Sequence, residues 1–300
     1  MTPEQFAEIC RLNQEEKDSL LEILNDPEIT DWAHQIAEHC FIPEVSGNAP
    51  DFPKGDKLSK AWFAAAYFGA EAAKEHYRRQ GFPEEVLFET MTDITAWLRN
   101  TKRNNGIIGI GYGRSWQAIL YHGTVTRHGR LECNTECFYD GPQLTDESGN
   151  RVVQKGDALI QIHIPEDGPM DMESCGKSMK RMAEFFAKYR PDYNWTGFHC
   201  VSWLLDSQLV PMLSENSNIM KFRNLGYNYP VDIKSDTVYR VFGTTDPFTV
   251  ENPTSLQRNI VEFLKKGGVF LEGGMFIPRA SVEAVDYDLE KLQEQNTRRK

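Results

Sequence analysis

Residues 157–171 read Asp157-Ala-Leu-Ile-Gln-Ile-His163-Ile-Pro165-Glu-Asp-Gly168-Pro-Met-Asp171. Ile160, Ile162 and Ile164 alternate with Gln161 and His163, the period of a strand that turns one face to a core. Pro165 and Pro169 end and stiffen it, and Gly168 between them permits a tight backbone turn. Asp171 then stands as a helix N-cap, and Met172, Met179, Met182, Phe185 and Phe186 recur at helical spacing until Pro191. A strand, a short loop and an amphipathic helix in this order predict an α/β unit, which continues over 157–243. Its working surface is expected at the end of the strand, where such sheets leave loops free to vary.

Outward from that stretch, Trp195–Leu205 reads as a buried strand, Val210–Leu225 as helical and Thr237–Phe242 as another strand. Ser255–Lys266 predicts a helix closed by Gly267-Gly268, Val269–Ile277 a last strand, and 281–300 a charged, helical or frayed tail. Upstream, Trp116–Tyr121 predicts a short helix, Leu131–Tyr139 a strand and Gly141–Gly156 a polar turn region. The first hundred residues read as helices, with a long Ala-rich one over Leu58–Gln80 and a loop over Phe41–Lys57. Asn104–Gly113, with four glycines, is the expected domain crossing. The expected organisation is a helical domain at 1–110, a sheet domain at 111–280 and the tail at 281–300: an α+β chain with helices packed on a mixed sheet.

The 300 residues carry a net charge of −11, with 40% hydrophobic and 11% aromatic content. Such a chain is globular, and its charge argues against a broad nucleic-acid or anionic-membrane footprint. Residues 1–105 hold 19 acids and 11 bases, so an anionic ligand is expected on the less acidic remainder. No basic stretch followed by an apolar run marks a secretory signal, and no apolar run reaches spanning length. Six scattered cysteines in a chain of this size read as reduced thiols of a cytoplasmic protein.

The chemistry concentrates in three places. His163, at a strand end beside a loop, has the residue type and position to take a proton near neutral pH; equally, it would hold the loop by a hydrogen bond. The helix start after Gly168 offers free N–H groups and partial positive charge to a phosphate, with Lys177, Lys180 and Arg181 close by. Asp171 and Glu173 compete there with any anion, and a purely structural turn fits as well. In Phe198-His-Cys-Val-Ser-Trp-Leu-Leu-Asp206, Ser202 lacks the G-x-S-x-G elbow of a hydrolase, while Asp206 fits a helix cap or a site acid. Cys133, Cys137 and His128 lack further ligands at metal-binding spacing, so no metal is expected. Gly109-x-Gly111-x-Gly113 is not a dinucleotide fingerprint.

His163-Ile-Pro with Gly168-Pro169, then Ser178 and Phe185-Phe186, then Cys200-x-Ser-Trp-Leu-Leu-Asp206 occur in a recognisable order. Ser217-Asn-Ile219 with Phe222, Val241-Phe-Gly243 and Leu256-Gln-Arg258 continue it. Asp93, Trp97, Gly106, Gly109, Trp116, Gly123 and Gly129-Arg-Leu131 precede it. From about residue 90 to 275 the chain resembles bacterial acyltransferase-domain proteins, which join a helical N-acyltransferase N-terminal domain to a GNAT-like C-terminal domain. The resemblance implies a sheet in which the pantetheine of acyl-CoA or acetyl-CoA enters between two splayed strands, here 157–165 and 196–205. It further implies a pyrophosphate beside 166–177, held by Gly168, Met172, Ser174 and Lys177. His163 and Asp206 are then the expected catalytic pair, acting on a small-molecule amine. The Gln/Arg-x-x-Gly-x-Gly/Ala loop usual in GNAT enzymes is not present at Glu166–Lys177. The alternative is a GNAT-shaped module without catalysis that binds a small molecule or a partner protein.

Overall fold

Local capping rules account for the first helices. Thr2 and Gln5 close a capping box on α1 (Pro3–Ile9), and Asn13 and Glu16 close another on α2 (Gln14–Leu24). Asp26 accepts from two N–H groups at the head of α3 (Pro27–Ile36), with Pro27 at its first position; each device satisfies donors that a helix start leaves open. The long α4 (Asp56–Arg79) buries Ala61, Ala64, Ala65, Ala66, Gly69, Ala70 and Ala73, and this small-residue surface lets neighbours approach closely. α5 (Glu84–Met91), α6 (Asp93–Asn105), α7 (Arg114–Tyr121) and strand β1 (Val125–His128) follow. The computed structural model describes residues 1–42 and 54–299, so most of the loop expected over 41–57 lies outside the described residues.

The chain divides into two compact units: Met1–His128 with Pro165–Gly168, and Gly129–Ile164 with Pro169–Lys300. The glycine-rich stretch 104–113 packs inside the first unit. Ile110 donates its N–H to Ser59 O at 2.8 Å, and a Cβ on Gly109 would collide with the Ser59 backbone.

The second unit carries β2 (Leu131–Asn134), β3 (Leu144–Thr145), β4 (Arg151–Val153), β5 (Ile160–His163), α8 (Met172–Tyr189) and β6 (Gly197–Ser202). It continues through α9 (Asn218–Arg223), β7 (Tyr227–Lys234), α10 (Thr237–Phe242), α11 (Ser255–Lys265) and β8 (Leu271–Pro278). α12 (Arg279–Glu283) and α13 (Leu289–Arg299) close the chain. β2, β5, β6, β8 and β7 lie side by side in that order. β5 and β6 run parallel, and the other neighbouring pairs are antiparallel. Ile160 and Ile162 are fully buried, as are Met179, Met182 and Cys175 on α8.

Four sequence expectations need correction. Thr237–Phe242 is a helix: Gly243, with φ of 70°, ends it in a left-handed C-cap, so β-branched Thr237 and Val238 yield to a local stop signal. Leu131–Tyr139 is a strand only to Asn134. The strand Tyr227–Lys234 falls where none is expected: Tyr227, Tyr229, Val231 and Ile233 alternate with polar residues at the period of a strand, and Pro230 alone argues against one. The closing segment is more than a charged tail, since Val282, Val285, Leu289 and Leu292 are buried. Gly176 on α8 lets it dock: a Cβ there would overlap Tyr287 O.

Candidate functional site

β5 and β6 stay together only briefly. Thr196 donates its N–H to Ala158 O, and the parallel ladder then holds Ile160 against Phe198 and Gln161 against His199. Beyond that row the two strands follow different neighbours. The end of β5 pairs with β2, His163 opposite Glu132 and Ile162 opposite Cys133. β6 stays with β8 for six rows, from Gly197–Pro278 to Ser202–Gly273. Two parallel strands that part at their C-terminal ends leave unpaired backbone N–H and C=O groups facing an opening, a ready partner for an extended amide-bearing ligand.

A polar row lies on the sheet face opposite the buried isoleucines. The Cys137 thiol donates to Gln161 Oε1 at 2.8 Å. His163 Nε2 lies 2.6 Å from Asn134 Oδ1; the oxygen only accepts, so Nε2 carries the proton. His199 Nε2 lies 2.6 Å from the Tyr229 hydroxyl. Burial, with the neighbouring His199, pushes the His163 pKa down to about 4, and burial likewise pushes His199 to about 4. Both imidazoles are therefore neutral at pH 7, because a dry environment penalises the charged ring.

Asp206 is 3% exposed and fully engaged. Oδ1 accepts the Gln208 N–H at 2.9 Å, and Oδ2 accepts the Leu271 N–H at 2.8 Å. It ties the turn after β6 to the first residue of β8. The next residue, Glu272, went unnoticed in the sequence: burial, then the nearby Asp236, lifts its pKa to about 7. Ser202 Oγ accepts the Leu204 N–H at 3.3 Å, a turn-capping role. His163 at the end of β5 and Asp206 in the turn after β6 thus sit at the same end of the sheet, where the two strands part from each other.

The four expected ligand-binding residues lie along the loop and the α8 start. Met172 is buried. The Ser174 N–H donates to Asp171 Oδ1 at 2.8 Å, so the N-cap already uses it. Lys177 Nζ lies 2.5 Å from Glu173 Oε1 on the exposed face of α8. Gly168 belongs to the Pro165–Gly168 stretch of the first unit, where Glu166 accepts from Asn100 and Arg103 and Asp167 pairs with Arg127. Both loop acids are therefore neutralised. Arg130, outside the expected set, donates from Nε to Pro169 O at 2.8 Å and brings a cation to the head of α8. Among the described residues no group of three or more His, Cys, Asp and Glu side chains is placed to hold a metal ion. No described helix is long and apolar enough to cross a membrane.

Residues 1–123 match the model of the N-acyltransferase N-terminal domain, and residues 125–276 match that of the GNAT-like C-terminal domain. The chain belongs to this N-acyltransferase/GNAT-like family. The fold agrees: a crystal structure of an acyltransferase in complex with decanoyl-CoA and teicoplanin superposes with a TM-score of 0.68 at 20% identity. That match covers 92% of this chain and 87% of the other. A mutant acyltransferase in complex with octanoyl-CoA superposes at 0.67, with the same identity and coverage. No curated protein sequence matches the chain significantly. Within the family's GNAT-like domain, the parted pair is β5 and β6.

Proposed function

We propose that this protein is an acyl-CoA-dependent N-acyltransferase acting on an amine of a small molecule. The observation that carries this is the parting of β5 and β6 after the Gln161–His199 row in a chain of the N-acyltransferase/GNAT-like family. In the proposed complex the pantetheine arm lies along the unpaired strand edges. The pyrophosphate lies against Gly168, Met172 and Ser174 at the head of α8, with Lys177 and Arg130 as the cations. The structures that share the fold hold decanoyl-CoA or octanoyl-CoA, and one holds teicoplanin; a medium-length acyl donor is the first to try. The amine nitrogen attacks the thioester carbonyl carbon, the C–S bond breaks, and the amine proton ends on the CoA sulfur. This needs positioning and one proton transfer, and no covalent enzyme intermediate.

His163 is proposed to face the amine. With a pKa near 4 it orients an N–H rather than storing its proton, while Asn134 fixes the ring. Asp206 is proposed as a positioning residue that braces Leu271 and, with it, Glu272. The second reading, a module that binds without transferring, draws on Asp171, whose carboxylate occupies the helix start where a pyrophosphate would lie. Thermal shift with CoA, acetyl-CoA and decanoyl-CoA near a millimolar, followed by thiol release on adding primary amines, separates the two. Ligand binding at about a hundred times Kd adds about 2.7 kcal/mol of stability, so a shift of several degrees is expected. No shift with any of the three would sink the enzyme reading, and binding without thiol release would favour the module.

A further inference from the structure

Arg114, in the first unit, is a half-buried cation that no carboxylate answers. Its Nε donates to Ile110 O at 3.0 Å and its Nη2 to Ser59 Oγ at 3.1 Å. Nη1 makes no hydrogen bond and is not sealed from solvent. Among the described residues no acid lies within ion-pair distance of it; burial lowers the pKa of the guanidinium, and no neighbouring charge offsets that. The surroundings make this unusual, because acids outnumber bases over residues 1–105. Arg78, Arg79, Arg99 and Arg103, each more than half exposed, all hold a glutamate. The exposed arginines are therefore paired and the half-buried one is not. Taking a charge partly out of water costs free energy that a partner of opposite sign ordinarily returns.

The position of Arg114 compounds the cost. It is the first residue of α7, in a turn that holds no acid and has no side-chain cap. Through Ser59 it also lies against the first turn of α4. Both helix heads carry partial positive charge and disfavour a cation. The frame that keeps it there is well tied. Ile110 donates its N–H to Ser59 O at 2.8 Å, and Gly111 donates to Thr101 Oγ1 at 2.9 Å; Ser59 and Thr101 are buried. The guanidinium is thus fixed through Nε and Nη2 while Nη1 stays open. A neutral ligand would leave the electrostatic cost in place. An anion at Nη1 removes it.

We propose that Arg114 anchors an oxyanion site on the helical unit, where its open guanidinium nitrogens bind the carboxylate or phosphate group of a small molecule. The inference stands on this unit alone and does not need the acyltransferase reading. A planar guanidinium held from one side offers such a group parallel N–H bonds, a geometry that lysine does not reproduce. Labelling at a known residue tests it on the full chain. Phenylglyoxal condenses with arginine side chains, and mass spectrometry of the peptide that holds Arg114 reads its rate there. Sodium acetate supplies a carboxylate and inorganic phosphate the other oxyanion, each compared with chloride at the same ionic strength.

Acetate or phosphate at saturation should slow the labelling of Arg114 by about fivefold or more, while Arg78 and Arg79, already held by Glu75, react at the rate seen in chloride. Protection by acetate alone assigns the site to a carboxylate, and protection by phosphate alone assigns it to a phosphate group. Labelling of Arg114 as fast as in chloride with both anions overturns the proposal, as does equal protection of all three arginines. Melting temperature is the second readout. The protecting anion should raise that of the wild type, raise that of Arg114→Lys less, and leave that of Arg114→Gln where it stands in chloride. An equal rise in wild type and Arg114→Gln overturns the proposal. Where a variant does not fold, the labelling of the wild type decides. A protein that binds no CoA yet protects Arg114 loses the acyltransferase reading and keeps this site; one that binds CoA and leaves Arg114 unprotected by either anion does the reverse.

Discussion

His163 and His199 lose their proton affinity for one reason, the removal of water from around the charged ring, and this has a measurable sign. Unfolded, each histidine takes up a proton near pH 6.5; folded, only near pH 4. Their contribution is complete above pH 6.5 and is withdrawn as the pH falls towards 4, by up to about 3 kcal/mol for each ring. His199→Gln should therefore lose less stability than the wild type between pH 7 and 4.5 in urea titrations; parallel curves would contradict the assignment. Glu272 runs the opposite way. Its folded pKa near 7 lies above the ordinary carboxylate value, so stability present in acid is lost as the pH rises through 7. Glu272→Gln is expected to stabilise the protein by about 1–2 kcal/mol at pH 8 and to change little at about pH 4, below the ordinary carboxylate value. Asp206→Ala strands the Leu271 and Gln208 N–H groups inside the protein. It should cost about 1–3 kcal/mol in a denaturant melt, even where no substrate is present.

These residues differ in how plainly the sequence announces them. His163 stands out because isoleucines flank it on a period of two and a proline follows. The burial of His199 is invisible in sequence, since it depends on Tyr139 and Tyr229, each tens of residues away. Glu272 looks like any strand-end carboxylate until Asp206 and Asp236 are brought beside it.

Among the elements, α8 and β5 were legible because a cap, a period and a stop agree in each. β7 alternates just as regularly, but Pro230 speaks against a strand unless that strand is known to lie at the sheet edge, where a missing N–H is tolerated. α10 was misread because six residues are too few to show a helical period against β-branched content. Two glycines decide how elements meet. On β8, Gly274 lies under the Tyr229 ring; Gly274→Ala would force the ring to shift. That overpacking should cost about 1–3 kcal/mol in a denaturant melt. On α8, Gly176→Ala would lift the closing segment from its seat. Hydrogen exchange over 285–297 should then speed up while the β6–β8 ladder stays protected; uniform acceleration would show instead that the whole unit had weakened.

At the scale of the molecule, the first unit is completed by a piece of chain that arrives late. Pro165–Gly168 belongs with Met1–His128. Its Asp167 is paired with Arg127, which also holds down the pKa of buried Asp93, raised to about 6 by burial. Arg127→Met would leave two carboxylates without their cation and is expected to cost about 3–5 kcal/mol. Asp167→Asn in the same background should return part of that loss, a coupling that a double-mutant cycle would measure. Helices at the start and a sheet after them were readable from the change in periodicity. The return of four residues to the first unit was not, because Glu166 and Asp167 look in sequence like an ordinary polar turn.

That return has a consequence for how such proteins can be rebuilt from parts. A chimera spliced once, at residue 128, would take Arg103 and Arg127 from one parent and Glu166 and Asp167 from the other. Exchange of helical halves between relatives must therefore carry two segments at once, or keep the four charges matched across the splice. Single-crossover libraries should show their survivors enriched in parents that already share those four residues.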